Sequence, residues 1–83
     1  MTPQVLEEKY FFGTHDLALA TVLSLFYSLE GIERENPRKA QFIFKQDAEL
    51  DALIASYWRG ELKVEPQAYF NAMRVIKGRL YEN

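Results

Sequence analysis

His15 is the only histidine in the 83 residues, and there is no cysteine. A histidine base needs a carboxylate to orient it and a hydroxyl or water to deprotonate. Thr14 and Asp16 flank it in sequence, but adjacency in a turn does not make a triad. The expected role of His15 is a polar turn residue beside a helix start. Gly13-Thr14-His15-Asp16 also joins a strand to a helix N-terminus, where free N–H groups can hold a phosphate. One glycine and an acid at position 16 match no phosphate loop, so capping is the expected role of Thr14 or Asp16. Asp47, Glu49 and Asp51 alternate as calcium-loop ligands do. Such a loop needs Gly at its sixth position and Glu at its twelfth, and Ala52 and Trp58 stand there instead. These acids suit the first turns of a helix, where the dipole favours anions. Lack of cysteine excludes a disulfide scaffold, a zinc-thiolate site and a cysteine nucleophile. No catalytic residue, metal or cofactor is expected, and the chain is read as a non-enzyme.

The cations admit a different chemistry. Arg34, Arg38 and Lys39 fall near one expected hairpin tip, Arg74 and Lys77 share a flank of the last expected helix, and Arg59 and Lys63 lie between. Phosphate backbones are held by several cations on one face, and exposed aromatics among them stack on bases. Arg38, Lys39, Arg74 and Lys77 are the nucleic-acid candidates, being least cancelled by nearby acids. A net charge of −2 and a pI near 5.3 weigh against that class, because nucleic-acid-binding domains are usually basic overall.

Apolar residues make up 48% of the chain and charged residues 27%, an ordinary globular balance for one domain. Six Phe, five Tyr and one Trp imply either a dense core or aromatics kept for a partner. The first residues have no basic stretch followed by an apolar one, so no signal peptide is expected. The longest uncharged run, Leu17 to Leu29, is 13 residues, too short to span a bilayer. The expected setting is cytoplasmic, and the absence of cysteine fits a reducing compartment.

These side chains are positioned by a pattern that reads β-α-β-β-α-α, an α+β fold with a small antiparallel sheet packed by helices. Residues 1–8 are expected as a flexible tail and residues 9–83 as a single domain. Lys9 to Phe12 reads as a first strand ending at Gly13. A helix follows from about Asp16 to Ser28. Only Leu17, Thr21, Ser24 and Ser28 form a narrow stripe on it, and apolar residues cover the rest, about twice the arc of a surface helix. That helix must be covered on more than one side, within the domain or across a subunit interface. Residues 29–45 read as a hairpin: strand Leu29–Glu35, a turn at Asn36-Pro37-Arg38-Lys39, and strand Ala40–Lys45 with Ala40, Phe42 and Phe44 on one face.

Asp47 is placed to cap a helix running to Trp58, with Leu50, Leu53, Ile54, Tyr57 and Trp58 as its apolar stripe. Gly60 is its stop signal. Pro66 opens the last helix, with Val64 and Tyr69 in hydrophobic-staple positions. That helix is expected to run to about Tyr81, burying Tyr69, Phe70, Met73, Ile76 and Leu80. If Leu62–Val64 were a strand, the order would become the ferredoxin-like βαββαβ plus a C-terminal helix.

Several segments carry a resemblance: Phe11-Phe12-Gly13-Thr14-His15-Asp16-Leu17-Ala18, then Tyr57-Trp58-Arg59-Gly60, Val64-Glu65-Pro66 and Ala72-Met73-Arg74-Val75-Ile76-Lys77-Gly78-Arg79-Leu80. The chain resembles, over roughly residues 10 to 81, a family of small bacterial and phage proteins known only as a domain of unknown function. The resemblance implies a bacterial or phage origin and one compact domain, and brings no catalytic residues. The expected function is a binding module acting through protein–protein contact as a homodimer, with Leu19, Val22, Leu23, Phe26 and Trp58 as interface candidates. The alternative is a nucleic-acid-binding accessory protein using the hairpin tip and the last helix. No membrane contact is expected.

Overall fold

A computed structural model of the chain describes residues 10–34 and 39–82. The expected tail, Lys9, most of the hairpin turn and Arg38 lie outside the described residues. The elements are β1 (Phe11–Thr14), α1 (Leu17–Ser24), β2 (Leu29–Glu33), β3 (Gln41–Lys45), α2 (Ala48–Trp58) and α3 (Pro66–Leu80). This is the expected β-α-β-β-α-α order. The sheet runs β1-β3-β2 and is antiparallel throughout. Residues 61–65 form a loop, not a strand, so the ferredoxin-like order does not occur.

Opposite residues in an antiparallel ladder share a face. Phe12, Phe44 and Leu29 are in register across the three strands, as are Thr14, Phe42 and Ile32. Those rows meet the helices, and Phe42 and Phe44 are buried with Leu50 and Ile76. Phe11, Lys45 and Glu33 point to the other face and are exposed. The helices therefore cover one side of the sheet only. β1 extends further than the sequence suggests: Gly13 pairs with Ile43, and the Gln41 side chain lies in the space a side chain at 13 would need.

Helix α1 is the centre of the helical layer and packs against both α2 and α3. Leu19, Ala20, Thr21, Val22 and Leu23 are all buried within the single chain. Thr21 is not on a wet stripe. Its hydroxyl donates to the Leu17 carbonyl at 2.8 Å, which satisfies it inside the core. The helix is also shorter than expected. The Ser24 hydroxyl donates to the Thr21 carbonyl at 2.7 Å, and the Leu25 and Phe26 amides reach back three residues. The chain tightens there into turns, which takes Phe26 off the helical spacing. Phe26 is 52% exposed, so its expected burial does not occur within the chain.

Local signals set the remaining boundaries. The Asp16 carboxylate accepts from the Leu19 amide, and the Thr14 hydroxyl accepts from the Asp16 amide. Asp47 caps α2 through the Leu50 amide. Gly60, at φ +73°, ends α2 with its amide on Tyr57 and that of Glu61 on Ser56, the two closing bonds of a Schellman turn. Glu65, placed just before Pro66, caps α3 by accepting from the Gln67 and Ala68 amides. On α3, Phe70 lies about 120° around from buried Ile76 at 100° per residue. It is 59% exposed rather than buried, a second correction to the expected core.

Leu23 is wholly buried at the middle of this layer. Leu23→Ala should cost about 2–5 kcal/mol in chemical denaturation, and Leu23→Asp should leave no folded protein by circular dichroism.

Candidate functional site

Three surfaces stand out because they expose residues that folding did not use. The first centres on Phe26. The turn after α1 raises its ring between two shallow grooves. One, of about 540 Å³, runs between that turn and α2, over Ala52, Leu53 and Ser56 with Asp47 and Glu49 at its rim. The other, of about 470 Å³, runs between the turn and α3, over Ala72, Val75 and Arg79. Val75 is itself 62% exposed. Glu49, Ala52, Leu53 and Ser56 fall at i, i+3, i+4 and i+7, so one helix face forms the wall of the first groove.

Tyr27 pins this turn to α2. Its hydroxyl donates to Asp47 Oδ1 at 2.6 Å, and the same oxygen accepts the Leu50 amide at 2.8 Å. Those two donors hold the Asp47 carboxyl below its ordinary value. The carboxylate in turn pushes the Tyr27 hydroxyl up from 10.0 to about 12, aided by burial and by the charges of Glu49 and Asp51. Asp51 also accepts from the Gln46 side chain at 2.9 Å. Of the acids that alternate in sequence, Asp47 caps the helix and Asp51 holds Gln46 beside it, while Glu49 lines the first groove.

The second surface is a stripe of α3. Phe70, Arg74, Lys77 and Tyr81 recur at i, i+4, i+7 and i+11, which a helix stacks on one face, and all are exposed. Lys39 shares a groove with Tyr81, His15 and Leu80. Three of the nucleic-acid candidates, Lys39, Arg74 and Lys77, are therefore described, and Arg38 is not. Other cations are spent elsewhere. Arg34 donates to the Arg79 carbonyl at the end of α3. Arg59 Nε lies 2.9 Å from Glu61. Of the candidates, Arg74 donates to the neutral Asn71 side chain at 3.3 Å and so keeps its charge uncancelled by that contact. His15 Nδ1 lies 3.1 Å from the Ala40 carbonyl; a carbonyl only accepts, so Nδ1 carries the proton there. His15 ties the β1–α1 turn to the start of β3.

The third surface is the uncovered sheet face and its β1 edge, with Phe11 and Ile43 beside Gly31. Trp58 stands apart from both Phe26 grooves. It is 64% exposed and meets the Tyr57 ring edge-to-face, with centroids 5.0 Å apart. Of the interface candidates, Leu19, Val22 and Leu23 are core, while Phe26 and Trp58 are surface. The sequence signal for Phe26 was the pair of serines bracketing it at 24 and 28, each able to bond the backbone and end a helix.

Among the described residues, no helix is long and apolar enough to cross a membrane. A family model described as a domain of unknown function, DUF5659, matches residues 9–82. The chain belongs to that family. No curated protein and no solved structure shows a significant match.

The Tyr27–Asp47 bond gives a pH signature with a definite sign. Asp47, lowered in the fold, adds stability above its unfolded pKa of about 4 that is lost as pH falls through the folded value. Tyr27, raised in the fold, adds stability below pH 10 that is lost as pH climbs towards about 12. Tyr27→Phe should therefore lower Tm at neutral pH and flatten the alkaline fall in Tm between those values. Phenolate absorbance should show one fewer late-titrating tyrosine.

Proposed function

We propose that this DUF5659 member is a non-catalytic binding module, of bacterial or phage origin and cytoplasmic setting, that acts through protein–protein contact and pairs with itself. The observation that carries this is Phe26. It is 52% exposed on a turn that follows a helix buried from Leu19 to Leu23, and it stands between two grooves. An aromatic ring on a rigid support loses little freedom on docking. Aromatic residues at the centre of a contact, with pockets around them, carry most binding energy in protein complexes. The acidic rim at Asp47 and Glu49 and Arg79 across the ridge favour a partner that presents an apolar segment flanked by opposite charges. Trp58 offers a separate anchor at the end of α2.

A second reading has its own observation. The α3 stripe sets Arg74 and Lys77 between Phe70 and Tyr81, a pattern that suits bases stacked on rings and phosphates held between them. Net charge −2 places it second.

A pull-down from the native host separates the two. Phe26→Asp should weaken capture of a protein partner by about 2 kcal/mol or more, some thirtyfold, with Trp58→Ala a smaller loss and the circular dichroism unchanged. Lys39→Glu with Lys77→Glu should leave that capture intact. Submicromolar binding of mixed oligonucleotides that falls steeply with salt, and is lost in the double lysine variant, would instead make nucleic acid the partner.

A further inference from the structure

The sheet has two edges, and they are built differently. β2, on one side, carries a bulge between Leu29 and Gly31, and Glu30, Glu33 and Arg34 are exposed along it. Bulges and charges are the usual protection of an edge against pairing. β1, on the other side, runs in unbroken register with β3 from Phe11 to Thr14 and has no charged residue between Tyr10 and Thr14.

The direction of each β1 backbone group follows from one bond. The Gln46 amide donates to the Tyr10 carbonyl at 2.7 Å. In an antiparallel ladder, bonded and non-bonded pairs alternate. With Tyr10 and Gln46 bonded, Phe12 and Thr14 bond Phe44 and Phe42. Phe11 and Gly13 are then the non-bonded positions, so their N–H and C=O groups point away from the sheet.

Such an edge is its own complement. We propose that a second copy of this chain pairs with β1 in antiparallel fashion about a two-fold axis at Phe12. Phe11 of each copy exchanges N–H and C=O with Gly13 of the other, and every outward group of the strand is satisfied. This rests on the reading of the chain as a protein-contact module and names one of its partners.

The side chains fit the same register. On the uncovered face, Phe11 falls opposite a glycine, where a bulky ring meets no rival side chain on the facing strand. The ring, 44% exposed in one copy, lies against the Gln41 side chain that crosses Gly13. On the helical face Phe12, half-buried in one copy, meets its counterpart at the close-approaching non-bonded position, where aromatic pairs add stability. The product is a continuous sheet of both copies with its helices on one side and only the blunted β2 edges left open. The Phe26 grooves are formed by other elements and stay free for another partner.

The test uses the full chain. Sedimentation should give twice the monomer mass at high concentration. Amide exchange by NMR should show Phe11 and Gly13 protected at high concentration and unprotected on dilution, while Phe12 and Thr14 stay protected throughout. Phe11→Pro removes an outward donor without touching the β1–β3 bonds, a position where an edge strand accepts proline. It should raise the dissociation constant about tenfold or more. Should that variant misfold, Phe11→Glu serves the same end: it faces Lys45 within the monomer and sets like charges near each other across the axis. Phe26→Asp should leave the dimer intact, so loss of the other partner and loss of the dimer are told apart. Three results would overturn the inference. One is a monomer at all concentrations. Another is a dimer unmoved by either Phe11 variant. The last is concentration-independent protection of Phe11 and Gly13, which would assign the edge to the chain's own N-terminal segment.

Discussion

The structure turns on a helix that has no side fit for water. α1 reads Leu-Ala-Leu-Ala-Thr-Val-Leu-Ser, without a charge. A single sheet can cover one side of it, through Phe42, Phe44 and Phe12. The flanks need α2 and α3, and these must lie on the same side of the sheet. Leu50 and Ile76 are what they contribute to the core. The chain reverses between them by the glycine at 60 in the left-handed region and the Glu65-Pro66 start of α3. Spending all the helices on one layer leaves the far face of the sheet, and both its edges, without cover from the described residues. The hydrophobic effect thus determines the fold and also what the fold leaves exposed.

Much of this is legible in the amino-acid sequence. The element order, the hairpin, a cap at Thr14 or Asp16, the cap at Asp47, the stop at Gly60 and the start at Pro66 all come from local chemistry, where a residue type answers a backbone need. The inward alternation of Phe42 and Phe44 follows from strand periodicity. What periodicity misjudged was the ends of helices and the width of a buried stripe. Phe26 was placed on a helix that had already ended, because Ser24 turned its hydroxyl onto its own backbone. Phe70 was counted as core because α3 was given a wider contact than one neighbouring helix offers. Arg34, expected near the hairpin tip, instead donates to the Arg79 carbonyl in the last turn of α3. The ending of α1 before Phe26 is a local effect, signalled by Ser24, whereas the placing of Phe70 and Arg34 depends on tertiary neighbours, which spacing alone does not show.

The misplaced residues are also the informative ones. Phe26, an interface candidate, and Phe70, expected in the core, belong to two distinct surfaces, one apolar with an acidic rim, the other with two cations between two rings. The β1 edge is a third, defined by backbone groups rather than side chains. None of them overlaps the buried centre, so substitution on any one surface can be read without disturbing the others. A chain this small with so many exposed rings is best understood as a scaffold whose centre is rigid and whose contacts are peripheral.

That account depends on α1 being buried by its own chain. Native-state hydrogen exchange of the Thr21, Val22 and Leu23 amides across a dilution series measures this directly. Exchange only through global unfolding, at the same rate at every concentration, is the predicted result. Protection that falls away as the protein is diluted would mean a second copy supplies the burial, and would contradict it.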